Sequence, residues 1–148
     1  MKKQIFALIA TITFAAGACA QVTVSQPWVR ATVPQQTSTG AFMQLSSPTD
    51  ARLVAVSTPA AGNAEIHKMA MEGQTMRMGL VDGIDLPAGK TVSLASGGYH
   101  IMLLDLKRQL KDGESIALTL VVEDKRKKRQ NVTLTVPVKP LAYANPQH

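Results

Sequence analysis

Five methionines and two histidines crowd one stretch of a 148-residue chain: His67, Met69, Met71, Met76, Met78, His100 and Met102. Their side chains offer imidazole nitrogens and thioether sulfurs, both metal donors. Thioethers are soft and neutral and select Cu(I), whereas zinc prefers imidazole, thiolate or carboxylate, and magnesium and calcium want oxygen. Taken singly, a methionine is an adaptable core filler and a strand histidine is a hydrogen-bonded structural residue. The spacing is what asks for more.

The run from His67 to Met78 reads HKMAMEGQTMRM, with Glu72-Gly73 at its middle. A two-residue turn there predicts that residues 64–71 fold back on 74–81 as a hairpin. His67 would then face Met78 and Met69 would face Met76, all four on one surface, with opposed Cβ atoms about 5 Å apart. His100-Ile101-Met102 places a second imidazole and a second thioether on one face of another strand, after Gly97 and Gly98. The expected metal ligands are therefore His67, Met78, His100 and Met102, with Met69 and Met76 left open as alternatives to Met78. This set carries no charge of its own. Since thioethers do not titrate, acid should release the ion only by protonating the imidazoles.

The elements that must position these residues read as strands throughout. Short runs with apolar residues at alternate positions are separated by Gly, Pro, Ser and Asp clusters, the pattern of an all-β sandwich or barrel. Strands are expected near residues 22–30, 40–45, 52–57, 64–71, 76–81, 92–94, 100–106, 115–123 and 131–136. No segment shows a helical period. The runs 115–122 and 131–136 alternate most cleanly and are expected to pair. Between them lies Lys125-Arg126-Lys127-Lys128-Arg129. That loop could steer an acidic partner, but it is read here as a solvated hairpin tip whose charges repel other sheet edges.

The chain opens with Met1-Lys2-Lys3, an apolar run from Ile5 to Ala16 and the small residues Gly17-Ala18-Cys19-Ala20. This reads as a secretory signal peptide, residues 1–20, too short in its apolar part to span a bilayer. Cleavage after Ala20 would leave a β domain over residues 21–137 and a flexible tail over 138–148. A cut before Cys19 would instead make a lipoprotein; Ala16 stands where such signals usually have Leu, so a soluble product is preferred. Without Lys2 and Lys3 the exported chain has fourteen basic residues against ten acidic, a net charge of +4. That charge is mild, and with two Tyr and one Trp there is no stacking surface or basic stripe for nucleic acid. Cys19 is the only cysteine and falls within the signal. The exported chain would therefore lack a disulfide scaffold, a cysteine zinc site, a cysteine nucleophile and a thiolate blue-copper centre.

With the ligand spacing His67, ten residues, Met78, twenty-one residues, His100, one residue, Met102, the sequence resembles the periplasmic copper chaperone family often written PCuAC. Further likeness lies in Trp28-Val29-Arg30-Ala31 followed by Gly40-Ala41-Phe42-Met43, in Leu86-Pro87-Ala88-Gly89 and in Gly97-Gly98-Tyr99-His100-Ile101-Met102-Leu103. The resemblance spans nearly all of the chain after the signal. It implies a cupredoxin-like Greek-key barrel or sandwich and a carrier of Cu(I) in the periplasm. The implied acceptor is an apo-protein such as a cytochrome oxidase subunit or another copper chaperone. Lys68 departs from the pattern, since many relatives carry an acidic residue or methionine after the first histidine.

A binding protein is thus expected, not an enzyme, because no nucleophile and base stand out once His67 and His100 are assigned to metal. The competing readings are a copper redox or electron-carrier protein, disfavoured without a thiolate, and a metal-free exported interaction domain. No transmembrane span is expected after the signal.

Overall fold

The computed structural model describes residues Val22 to Tyr143. The signal segment, with Cys19, lies outside the described residues, as does His148.

All regular structure among the described residues is strand: β1 (Thr23–Arg30), β2 (Ser38–Ser46), β3 (Ala51–Ser57), β4 (Ala61–Glu72), β5 (Thr75–Leu80), β6 (Ile84–Leu86), β7 (Thr91–Leu94), β8 (Tyr99–Leu106), β9 (Ser115–Asp124) and β10 (Arg129–Lys139). They form one open sheet in the order β5-β4-β8-β7-β2-β1-β10-β9-β3-β6, with β8 also paired to β2. The sheet turns on β1 and β10, which pair in parallel at Val29–Val138 and Arg30–Lys139. Period-two alternation then sends one face of every long strand inward. Val29, Met43, Leu45, Ile101 and Leu103 from one half and Leu53, Leu118, Leu120, Val136 and Val138 from the other share a continuous core. The expected pairing of β9 with β10 is present, from Arg129–Glu123 to Pro137–Ser115. β6 was not legible, because three residues are too few to show alternation.

The hairpin register differs from the one expected. β4 and β5 pair as His67–Leu80, Met69–Met78 and Met71–Met76, so His67 does not face Met78 and Met69 does not face Met76. The turn residues are Gly73 and Gln74, between the Glu72–Thr75 pair, and not Glu72-Gly73. Gly73 has φ +63°. A turn with glycine first needs a left-handed φ there alone, whereas a type I′ turn on Glu72-Gly73 would force a side-chain-bearing Glu72 into that region as well. Each partner moves by two residues, so the side chains keep their faces and change only their neighbours.

The expected start of the tail at residue 138 falls inside a strand. β10 continues past residue 137 through buried Val138 to Lys139, whose carbonyl accepts the Ala31 N–H at 2.9 Å. Pro137 is tolerated because it stands where β10 leaves β9 and takes up β1, the kind of position at which a missing N–H does least harm. Tyr143 then returns edge-on to Trp28, ring centroids 4.8 Å apart.

The basic run is a turn in which Lys125, Lys127 and Arg129 find carboxylate partners. Asp124 accepts the N–H groups of Arg126 and Lys128 at 2.8 and 2.9 Å. Lys125 pairs with Asp50 at 2.9 Å, and Lys127 and Arg129 pair with Glu123 at 3.3 Å.

Candidate metal site

Because Ile66 on β4 and Ile101 on β8 point into the core, their neighbours His67 and His100 point outward. The two strands pair with His67 opposite His100 and Glu65 opposite Met102, and the imidazole centroids are 5.8 Å apart. Met102 thus shares the outer face with both histidines, with Gly40 of β2 on its far side. Met69 and Met78, paired on the hairpin, continue the same face beyond His67.

Met78 is the residue that ties the hairpin to β8. It lies two strands away from His100, with β4 between, a backbone separation of about 10 Å. Its side chain crosses β4 and brings Sδ to 2.8 Å from His100 Nε2. The other ring nitrogen of His100, Nδ1, faces the Gly98 carbonyl at 3.3 Å. With the proton on Nδ1, donated to that carbonyl, the Nε2 lone pair points at the sulfur. Two lone pairs aimed at one another repel, and a soft cation held by this nitrogen and this sulfur would relieve that repulsion.

His67 repeats the arrangement from the opposite side. Its Nε2 is 2.7 Å from Glu65 Oε2, and its Nδ1 is buried with no hydrogen-bond partner. When Nε2–H donates to the carboxylate, Nδ1 is left as a free donor atom. A metal-ligating imidazole characteristically gives its second N–H to a carboxylate or carbonyl, which fixes tautomer and orientation. Both imidazoles here have one nitrogen so held and one left over, an arrangement that fits metal ligation by the two histidines. Glu65 was missed in the sequence. Its signal was the alternation Glu65-x-His67, which puts the carboxylate on the histidine's own face.

The surroundings limit water. His100 is 6 % exposed and sits 6.5 Å, ring to ring, from Phe42. Phe42 can lean this way because Gly40 has no side chain: a Cβ there would lie 2.8 Å from the tip of the Phe42 ring. Trp28 stacks behind Phe42 at 4.6 Å, and the Arg30 guanidinium lies 5.5 to 5.7 Å from both rings. Burial disfavours the imidazolium and pushes the His100 pKa below its usual value, with the neighbouring His67 acting in the same direction and the Gly98 carbonyl against it. A neutral His100 is the metal-binding form.

No three side chains among His, Cys, Asp and Glu converge on a common point among the described residues. The chemistry offered at this face is two imidazoles with thioethers. Met76 stands outside the cluster, paired with Met71 at the hairpin end.

Comparison with known proteins follows the same lines. Residues 22–138 match the family described as LpqE-like, putative lipoprotein LpqE-like. A putative lipoprotein of Leifsonia xyli subsp. xyli is 32 % identical over 125 residues, covering 84 % of this chain and 73 % of the relative. Among solved structures, the solution structure of the Cu(I) form of a Deinococcus radiodurans protein is 35 % identical, with a TM-score of 0.58 over 84 % of this chain and 83 % of that one. The apo PCuAC domain of PmoF1 is 26 % identical, with a TM-score of 0.65 over 80 % and 93 %. The all-β architecture is that of these cupredoxin-like PCuAC domains.

Proposed function

We propose that this chain, which belongs to the LpqE-like family of putative lipoproteins, is an exported copper carrier that holds one Cu(I) through His67, Met78, His100 and Met102. The observation that carries the reading is the meeting of Met78 Sδ and His100 Nε2 beside the unpartnered Nδ1 of His67. Similarity to a protein solved with Cu(I) and to PCuAC domains supports copper handling as the activity. Thioether donors favour the monovalent ion, which keeps its single charge in a neutral ligand set.

The cargo is passed on by ligand exchange. Met78 is half exposed, so an acceptor's donor atom can reach the ion from the solvent side while His100 still holds it from below. The acceptor we infer from the family resemblance is an apo copper protein, such as a cytochrome oxidase subunit or another copper chaperone. Binding, not catalysis or electron transfer, is the proposed role, because the described residues include no cysteine whose thiolate would speed cycling between Cu(I) and Cu(II).

The relatives' names favour a lipid anchor over the freely soluble product expected from Ala18-Cys19-Ala20. Cys19 is the residue that would carry it. The mass of the exported protein decides between the two.

The copper reading is tested by titrating Cu(I) under reducing conditions against a competing chelator. One ion should bind per chain. Affinity should fall by more than the roughly 10–100-fold expected for losing a supporting residue when His100→Ala and Met102→Ala are combined. Unchanged affinity in that variant would eliminate the site.

A further inference from the structure

The hairpin carries thioethers that the inner site does not use. Met71 of β4 and Met76 of β5 are directly paired, one step before the Gly73-Gln74 turn, and are 61 % and 46 % exposed. They share a face with Met69, Met78 and His67, because every second residue along each strand points the same way. The opposite face of the hairpin is polar, with Glu72 and Arg77 bonded at 3.1 Å. Charge is thus sorted to one side and sulfur to the other.

β5 is also an edge strand of the sheet, at the end opposite β6. An exposed apolar edge is a hazard that proteins usually blunt with lysine, proline or a bulge. Here Thr75–Leu80 is regular and its outer face is Met76, Met78 and Leu80, all exposed. Core packing does not explain methionine at positions 71 and 76, since neither side chain is buried.

We propose that Met71 and Met76 form a second, outer landing site for a soft monovalent cation, Cu(I) in the cell, which feeds the inner site through the Met69–Met78 pair. Opposed strand residues bring two sulfurs within reach of one ion. Successive pairs lie about 7 Å apart along the strands, and flexible methionine side chains close such a gap. The ion moves by exchange of dative bonds: an inner sulfur binds as an outer one lets go, copper stays Cu(I), and no proton or electron is transferred. With thioethers alone and no imidazole, the outer site binds more weakly than the inner one. That gradient sets the direction of loading.

The inference rests on the inner-site reading, and one experiment separates the two. Purified protein carrying 13C-methyl methionine is titrated with Ag(I), a redox-inert soft cation, and followed by NMR. The first equivalent is expected to shift the Met78 and Met102 methyls, and further Ag(I) to shift Met71 and Met76 in a weaker second step. Met71→Leu combined with Met76→Leu, at exposed positions, should abolish the second step and leave the first unchanged. Saturation of the first step with the Met71 and Met76 methyls unmoved by excess Ag(I) would overturn the outer site alone. Persistence of the second step in the double variant would do the same. Failure of the first equivalent to move Met78 and Met102 would count against the inner site instead.

Discussion

Met78 and His100 touch through Sδ and Nε2 at 2.8 Å although a complete strand, β4, runs between their backbones. The contact makes the β4–β5 hairpin part of the metal face and singles out one methionine among four on that hairpin. Met78→Leu should therefore weaken Cu(I) binding strongly, while Met76→Leu leaves first-ion affinity within a few fold. Competition titration of the two variants checks this, and equal losses would contradict the geometry.

Glu65 holds His67 Nε2 at 2.7 Å. Replacing it with Leu should lower Cu(I) affinity by roughly 10–100-fold, the usual range for a residue that orients a ligand. Glu65→Gln keeps an acceptor oxygen and should recover much of the loss. The His67 tautomer, read from ring nitrogen shifts of the copper-free protein, should be mixed in Glu65→Leu and single in Glu65→Gln.

Gly73 sits at φ +63° with nothing within 4 Å of where a Cβ would stand. The penalty of Gly73→Ala is thus one of backbone conformation, about 1–2 kcal/mol. Gly73→Asn should cost less, since asparagine visits the left-handed region more readily. Urea unfolding should show a lower midpoint with an unchanged slope.

His100 gives the copper-free protein a pH dependence of known sign. Its pKa in the fold is lowered, chiefly by burial, so between that value and the unfolded one, about 6.5, the unfolded chain binds more protons. Stability should be intact above pH 6.5 and fall as the pH drops through the folded pKa. Thermal unfolding of copper-free protein against pH should show this step. His100→Gln should flatten it.

The carboxylate of Glu114 works on the acid side. Its hydrogen bonds with Arg108 and with the Lys111 N–H hold its pKa below the ordinary glutamate value. A lowered pKa contributes stability above the unfolded value that is lost as pH falls through the folded one. Glu114→Gln should narrow the difference between neutral and acidic stability without changing metal affinity.

Much of this was legible beforehand because strands declare themselves locally. Alternation over residues 115–122 and 131–136 predicted both strands and their pairing, and a spacing of two put His100 with Met102 on one face whatever they packed against. The hairpin was legible as a hairpin. Its register was not, since moving the turn by one residue preserves every face and leaves the pattern of apolar positions unchanged. The choice fell to Gly73, where backbone sterics reward one turn over the other. The end of the chain was misjudged for a related reason: Pro137 looks like a terminator, but it stands where β10 exchanges one partner strand for another.

Residue types and period-two spacing were sufficient to declare an all-β chain, a soft donor set and a shared face for His100 and Met102, because those follow from chemistry and from alternation along a single strand. Which methionine reaches which imidazole, the meeting of His67 with His100 and the aromatic wall beside His100 depend on strands far apart in sequence. Only the folded sheet decides them, by laying β8 against β4 and letting one long side chain cross between.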